Sequence, residues 1–363
     1  MAGVYISYPF CRQKCTYCNF ASGVWSPGLE HDYLAALLSE IRRRRWEWAP
    51  ETIYLGGGSP DLMQPGDVRR VLSATPGCPW KEATIEVAPG DVTLEKVECW
   101  IDCGINRVSL GVQSFVEEEI RRTGRRHTAE IVGNDVALLA GAGIAKINID
   151  LIAGLPGQTR ESWRESLEWV KRLGVGHVSV YMLEVDEHSR LGRELLSEGS
   201  RYGAGAVPGE DLIAEFYETA VEWLAGLGIE RYEISNFARP GEESVHNLKY
   251  WKFEPYVGFG AGAHSCDPDI RSENVDTAAE YVERWRVDAG FRAAETPVRR
   301  SSERFYVGLR LAEGIVLTPE ELTKYKEPIE RFVFGDYLEK DGDRLRLTPR
   351  GILLSNEVFQ EFV

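Results

Sequence analysis

From residue 4 to about 185 the chain alternates short runs of aliphatic and β-branched residues with longer stretches whose apolar positions recur at helical spacing. The runs Val4–Phe10, Thr52–Leu55, Thr84–Ala88, Arg107–Val112, Lys146–Ile152 and His177–Leu183 predict strands. Between them, Leu29–Trp48, Pro65–Ser73, Leu94–Cys103, Thr128–Ala142 and Arg160–Leu173 predict helices. Strands alternating with helices imply a parallel sheet with right-handed crossovers. Val-, Ile- and Leu-rich strands flanked by helices favour an open or closed α/β barrel. Chemistry in such a barrel belongs at the C-terminal ends of the strands. The segment that carries Cys11, Cys15 and Cys18 follows the first strand directly.

The rhythm breaks around Ser189–Pro208, where Gly203-Ala204-Gly205-Ala206 reads as a loop. A helix over Glu210–Leu227 follows, then Arg231–Phe237 and the Gly-rich Gly258–Ser265. Beyond about Pro297 come short helices, a hairpin over Tyr337–Thr348 turning at Lys340-Asp341-Gly342-Asp343, and a closing helix Arg350–Phe362. Together these read as a small helical, winged-helix-like domain. The expected division is a barrel core at 1–185, an extension at 186–296, and the C-terminal domain at 297–363. Glu320, Glu321, Glu339, Asp341 and Asp343 in that last part argue against DNA binding.

A chain of 363 residues can bury one large core and a smaller appended one. Its formal charge of −15 argues against a nucleic-acid face, which needs basic residues. Arg42-Arg43-Arg44-Arg45 falls inside a predicted helix and reads as a solvated face, with peripheral contact to a membrane or an acidic partner as the alternative. Seven cysteines, with Cys78, Cys99, Cys103 and Cys266 scattered, do not form a disulfide framework. Cys99 and Cys103 share a predicted helix face as small buried side chains. The N-terminus has no apolar signal core, and no stretch reaches membrane length. A reducing cytoplasm suits these thiols.

Cys11, Cys15 and Cys18 place three thiolates on one short loop. Iron–sulfur clusters are normally held by four cysteines, so three would leave one iron of a cubane open. Structural zinc is the rival, but it wants four closed ligands and no second pair follows. Gly56-Gly57-Gly58-Ser59-Pro60 ends the second predicted strand. Its bare backbone could hold the polar end of a ligand, or it could be a plain turn. Glu86, Gln113 and Asp150 sit at later strand ends. Carboxylates amid Ile and Val are costly to bury without partners. Two on one rim could grip an ammonium and ribose hydroxyls, or merely fix the strand ends. Arg125 could meet a ligand carboxylate in bidentate fashion or lie on the surface.

Cys-x-x-x-Cys-x-x-Cys, Gly-Gly-Gly-Ser-Pro, Gly-Val-Gln-Ser-Phe and Asn-Ile-Asp-Leu-Ile-Ala-Gly-Leu-Pro-Gly-Gln-Thr occur here in this order. They resemble the oxygen-independent coproporphyrinogen III oxidase-like radical S-adenosylmethionine proteins, over essentially the whole chain. The resemblance implies an α/β fold with a partial (β/α)6 barrel and a [4Fe-4S] cluster on Cys11, Cys15 and Cys18. The open iron would chelate the methionine part of S-adenosylmethionine, whose sulfonium an electron from the cluster cleaves. Tyr5, Tyr17, Gly57, Gly58, Ser59, Glu86, Gln113, Arg125 and Asp150 match positions lining that site, Ser59 standing where threonine is common.

The oxidase branch carries a further cysteine two after the third, where this chain has Cys18-Asn19-Phe20. This is similar to the heme chaperone (HemW-type) branch, as is His246-Asn247-Leu248-Lys249-Tyr250-Trp251, its His-Asn-x-x-Tyr-Trp motif. An imidazole flanked by aromatic rings can ligate heme iron. The same residues can equally pack in a core. His264 is the second candidate, while His31, His127, His177 and His188 read as structural or solvent-facing. The branch implies a protein that binds heme and passes it to apo-proteins, supplied with electrons by a donor such as flavodoxin or ferredoxin. The alternatives are a radical methyltransferase or heme-degrading enzyme on the same scaffold, and coproporphyrinogen III decarboxylation, which Phe20 disfavours.

Overall fold

The computed structural model describes residues 2–362. Six strands, β1 (Gly3–Tyr8), β2 (Thr52–Gly57), β3 (Glu82–Val87), β4 (Arg107–Gln113), β5 (Lys146–Ala153) and β6 (His177–Met182), pair in sequence order and in parallel. Helices α1 (Pro27–Arg43), α2 (Pro65–Ala74), α3 (Leu94–Asp102), α4 (Glu117–Thr123), α5 (Ala129–Gly141) and α6 (Arg160–Leu173) connect them. Each predicted strand is present within a few residues, and α6 matches its expected bounds. Its start is set by a capping box in which Thr159 and Ser162 exchange side-chain and backbone bonds. The short α4, absent from the periodicity reading, has too few turns to show a helical repeat.

The strands alternate strictly. Ile53, Leu55, Ile85, Val108, Ile149 and Val178 are fully buried. They belong to a core that includes Leu37 and Ile41 of α1, Val97 of α3 and Trp163 of α6. Fully burying such a side chain is worth about 1.5–3 kcal/mol, so this face holds the helices on the sheet. On the other face stand Tyr54, Thr84, Glu86, Ser109, Asn148, Asp150 and Ser179, which line an internal cavity of about 40 Å³. Period-two alternation sends successive residues to opposite faces, so the polar half of each strand becomes the inside of an open barrel.

The sheet is wider than expected, with twelve strands among the described residues and its two ends unpaired with each other there. On one side β7 (Glu230–Arg231) and β8 (Asn236–Ala238) continue it antiparallel to β6. On the other, β9 (Tyr256–Phe259) pairs in parallel with β1. Beyond it lie β10 (His264–Cys266), β11 (Ile270–Asn274) and β12 (Arg292–Pro297). Gly258 hid β9 from the pattern. A Cβ there would run into the His264 carbonyl, so the β9–β10 approach needs glycine.

Other expectations shift. Helix α1 stops at Arg43, with Arg44 as its C-cap, so the arginine run straddles a helix end and Arg42 and Arg43 complement its dipole. Cys103 is the C-cap of α3, and its thiol still meets that of Cys99 on one face, as expected. The stretch read as a loop holds α7 (Arg190–Leu196) and a 3-10 turn at Arg201–Ala206. Two further helices are α8 (Glu210–Ala225) and α9 (Val245–Trp251). Near the C-terminus a three-stranded sheet of Ile315–Val316, Leu338–Asp341 and Arg344–Leu347 forms, its hairpin turning where expected. The closing helix is split into Pro349–Leu353 and Ser355–Gln360. Among the described residues no helix is long and apolar enough to cross a membrane.

Candidate functional site

The loop leaving β1 is closed at its base by two bonds, Cys11 N–H to the Gly23 carbonyl and Gly23 N–H to the Pro9 carbonyl, both 2.9 Å. Inside this closure lie Cys11, Cys15 and Cys18, all half-buried and all free thiols. Burial pushes the Cys11 thiol pKa up, while hydrogen bonds from Ser22 and Ser59 pull it down. Arg125 Nε donates to Cys15 Sγ at 3.1 Å. Its guanidinium also donates to the Gly111 carbonyl. Burial works against that charge, but Tyr17, Cys15 and Asp150 around it hold the group ionised. Arg125 is thus not a surface arginine: its Nε is engaged by Cys15 of the cysteine loop and one Nη by Gly111 of β4. The Tyr17 phenol is pushed up by burial, with Cys15 beside it adding to the shift and Arg125 opposing it.

The glycine turn also differs from its sequence reading. Gly58 N–H is taken by the Tyr8 carbonyl and Ser59 N–H by the Phe10 carbonyl, both at 2.8 Å. A Cβ on Gly58 would stand 2.6 Å from the Phe10 carbonyl oxygen and 2.8 Å from that of Tyr8. These glycines let two loops of the protein pack backbone to backbone, the first role of the bare turn. Gly57, at φ +107°, turns its own N–H to Glu86 Oε2 at 3.2 Å.

Glu86 Oε1 accepts from the Tyr54 hydroxyl at 3.0 Å, and Tyr54 stacks on Tyr5 with ring centres 6.0 Å apart. Burial, with the Asp150 charge adding to it, raises the Glu86 pKa to about 7. Asp150 accepts from Asn148 Nδ2 at 2.7 Å and from Ser109 Oγ at 3.2 Å, and burial raises it too. Two carboxylates that disfavour each other's charge in one cavity favour a cation between them. Gln113 ends β4 at φ +72°, a left-handed conformation unusual for a non-glycine residue, where the register with β5 shifts.

All the predicted residues except His246 and Tyr5 therefore lie on the cysteine loop or at and beyond the C-terminal half of the parallel strands, while Tyr5 is the third residue of β1, stacked on Tyr54. Among the described residues no three His, Cys, Asp or Glu side chains converge as they would on a single metal ion. A cluster instead spreads its three ligands over separate irons, and three thiols on one loop suit that donor set.

Residues 5–170 match the radical SAM superfamily and residues 296–354 the HemN C-terminal domain. The chain is 33% identical to heme chaperone HemW of Lactococcus lactis, covering 99% of this chain and 96% of that protein. It is likewise 33% identical to heme chaperone HemW of Escherichia coli, covering 99% and 97%. The chain belongs to the HemW family. Coproporphyrinogen III oxidase (HemN) of Escherichia coli, a radical SAM enzyme, shares the fold with a TM-score of 0.86 at 20% identity, covering 99% of this chain and 89% of that one.

The motif at His246 needs correction. His246 is 1% exposed, its Nδ1 pairs with Thr52 Oγ1 and its Nε2 with the Tyr250 hydroxyl, both at 2.8 Å. Burial, helped by Lys249, drives its pKa down to about 3, so the ring is neutral. Thr52 opens β2, at the end of the strand opposite Gly57. Tyr250 packs edge-on against Tyr256, and Trp251 lies under Arg310. Neither ring nitrogen is offered to an iron, and the packed alternative fits. His264 is exposed on β10 beside Glu273. The inner-face residues Tyr54, Ser109 and Asn148 escaped the sequence reading, although the polar alternation in Asn148-Ile149-Asp150-Leu151 marks them.

Proposed function

We propose that this protein is a cytoplasmic heme carrier that hands heme to apo-proteins and holds a [4Fe-4S] cluster on Cys11, Cys15 and Cys18. Heme is cargo in this reading, while the cluster and S-adenosylmethionine are resident cofactors. When bound, the cluster supplies the electron that can cleave the sulfonium. The chain's own residues do the rest. Glu86 and Asp150 offer negative charge for an ammonium, Gln113 and Tyr54 flank them, Gly57 bonds Glu86, and Gly58 and Ser59 tie the glycine turn to the segment leading into the cysteine loop. Arg125 positions the Cys15 side chain by donating to its sulfur. A flavodoxin or ferredoxin would deliver electrons beside the loop, where Arg121 and Arg126 border a cleft of about 450 Å³ with Gln13. The division into 1–185, 186–296 and 297–363 serves this reading as core, extension and closing domain.

The observation that carries it is the full-length likeness to proteins named heme chaperones, combined with Phe20 where the oxidases carry a further cysteine. Anaerobically reconstituted protein mixed with heme, coproporphyrinogen III and S-adenosylmethionine should bind heme saturably and leave both tetrapyrroles chemically intact by mass. Addition of a heme-free apo-protein should then strip the heme. A methylated or opened product would turn the reading to the methyltransferase or heme-degrading alternative, and a decarboxylated one to the oxidase.

A further inference from the structure

The turn after β6 is sewn to the cysteine loop. Asn19 Nδ2 donates to Asp186 Oδ2 at 2.8 Å, while Asp186 Oδ1 accepts the His188 backbone N–H at 2.7 Å. Leu191 N–H donates to the Thr16 carbonyl at 2.8 Å, and Arg190 donates to the Lys14 carbonyl. These bonds hold the backbone of 186–191 beside the residues that surround the third cysteine. They leave the His188 side chain exposed. Two large apolar side chains stand open on the same two segments, Phe20 at 61% and Val185 at 53% exposure. Lys14 Nζ rests on the Phe20 carbonyl at 2.8 Å, which puts an ammonium at the edge of the patch.

The remaining histidines are committed elsewhere. His127, His177 and His246 are buried with ring nitrogens hydrogen-bonded. His31 pairs with Asp32, and His264 faces Glu273 on the neighbouring β11. His188 is the exposed imidazole next to apolar surface and a cation.

Resting on the heme-carrier reading, we propose that heme docks on this patch, with His188 as an axial ligand, Phe20 and Val185 against one face of the macrocycle, and Lys14 toward a propionate. The chemistry of the three groups selects this occupant. An imidazole ligates the iron, apolar side chains cover a flat apolar ring, and an ammonium meets a carboxylate. The placement also gives Phe20 a task at the position where the oxidases hold a cysteine. Because Cys18 and Phe20 share one loop, a site here would put heme next to the cluster.

Ferric heme titrated anaerobically into the reconstituted full chain tests this. Wild type should show a saturable Soret band. His188→Ala should shift that band and weaken binding at least about tenfold, with cluster iron unchanged. Phe20→Ser should weaken binding while keeping the band position, and His264→Ala should match wild type. Saturable binding with an unaltered band in His188→Ala, or a shift in His31→Ala instead, overturns the site but leaves the carrier reading intact. Normal heme binding in both His188→Ala and Phe20→Ser with impaired heme release to an apo-protein would mark the patch as a protein-docking face and overturn it too. Absence of saturable binding in wild type fails the carrier reading itself.

Discussion

His246 shows how much one buried polar ring can organise. Its two nitrogens satisfy the hydroxyls of Thr52 and Tyr250, while its backbone N–H reaches Glu82 Oε1 at 2.9 Å. That carboxylate also accepts from Ser244 Oγ and Val245 N–H, so it ties the first turn of α9 to the start of β3. Truncation to alanine would strand two hydroxyls and open a cavity, and each unsatisfied buried group costs about 1–3 kcal/mol. His246→Ala should therefore lower unfolding stability by about 2–4 kcal/mol in urea titrations, with the heme Soret position unmoved. A stable variant with an altered Soret band would restore His246 as ligand.

At the scale of an element, β3 divides its residues between two environments. Ile85 is fully buried against the helices, whereas its neighbour Glu86 faces the cavity. The carboxyl of Glu86 is lifted to about 7 by burial and then by Asp150, against about 4.3 in an unfolded chain. A raised pKa contributes stability that is full below the unfolded value and lost as the pH climbs through the folded one. Without cofactors, Glu86→Gln should gain on wild type as the pH rises from 5 to 8, measured by urea midpoints at each pH. A constant difference across that range would mean Glu86 titrates normally. A cationic ligand between Glu86 and Asp150 would relieve the same penalty, which is the physical link between the strain of this strand and binding.

For the whole molecule, the loop after β1, the glycine turn after β2 and the turn after β6 come together at the mouth of one polar interior. The thiols of the first loop are gathered there, while Cys99 sits on α3 with its thiol donating to the Pro65 carbonyl. Cys15→Ala should lose most of the iron and sulfide taken up in anaerobic reconstitution, and Cys99→Ala should keep them. Full retention in Cys15→Ala would remove the cluster assignment.

Much of this architecture was legible in the chain. Strands β1–β6 and helix α6 stand out because local periodicity and capping residues state them without help from distant parts. The three cysteines are equally plain, because one loop carries all the ligands. The strand β9 is different, since a Gly-containing run becomes a strand only when β1 offers it an edge. Arg125 is different again: sequence presents it as a surface or ligand-gripping residue, and only the fold brings Cys15 within 3.1 Å of it. The same holds for His246 and His188. Along the chain His246 has aromatic neighbours and His188 has none. Which imidazole is sealed and which is open depends on Thr52 and on Asn19, residues 194 and 169 positions away. Side-chain types and their local spacing are properties of the sequence, whereas exposure and long-range partners exist only once the chain has folded.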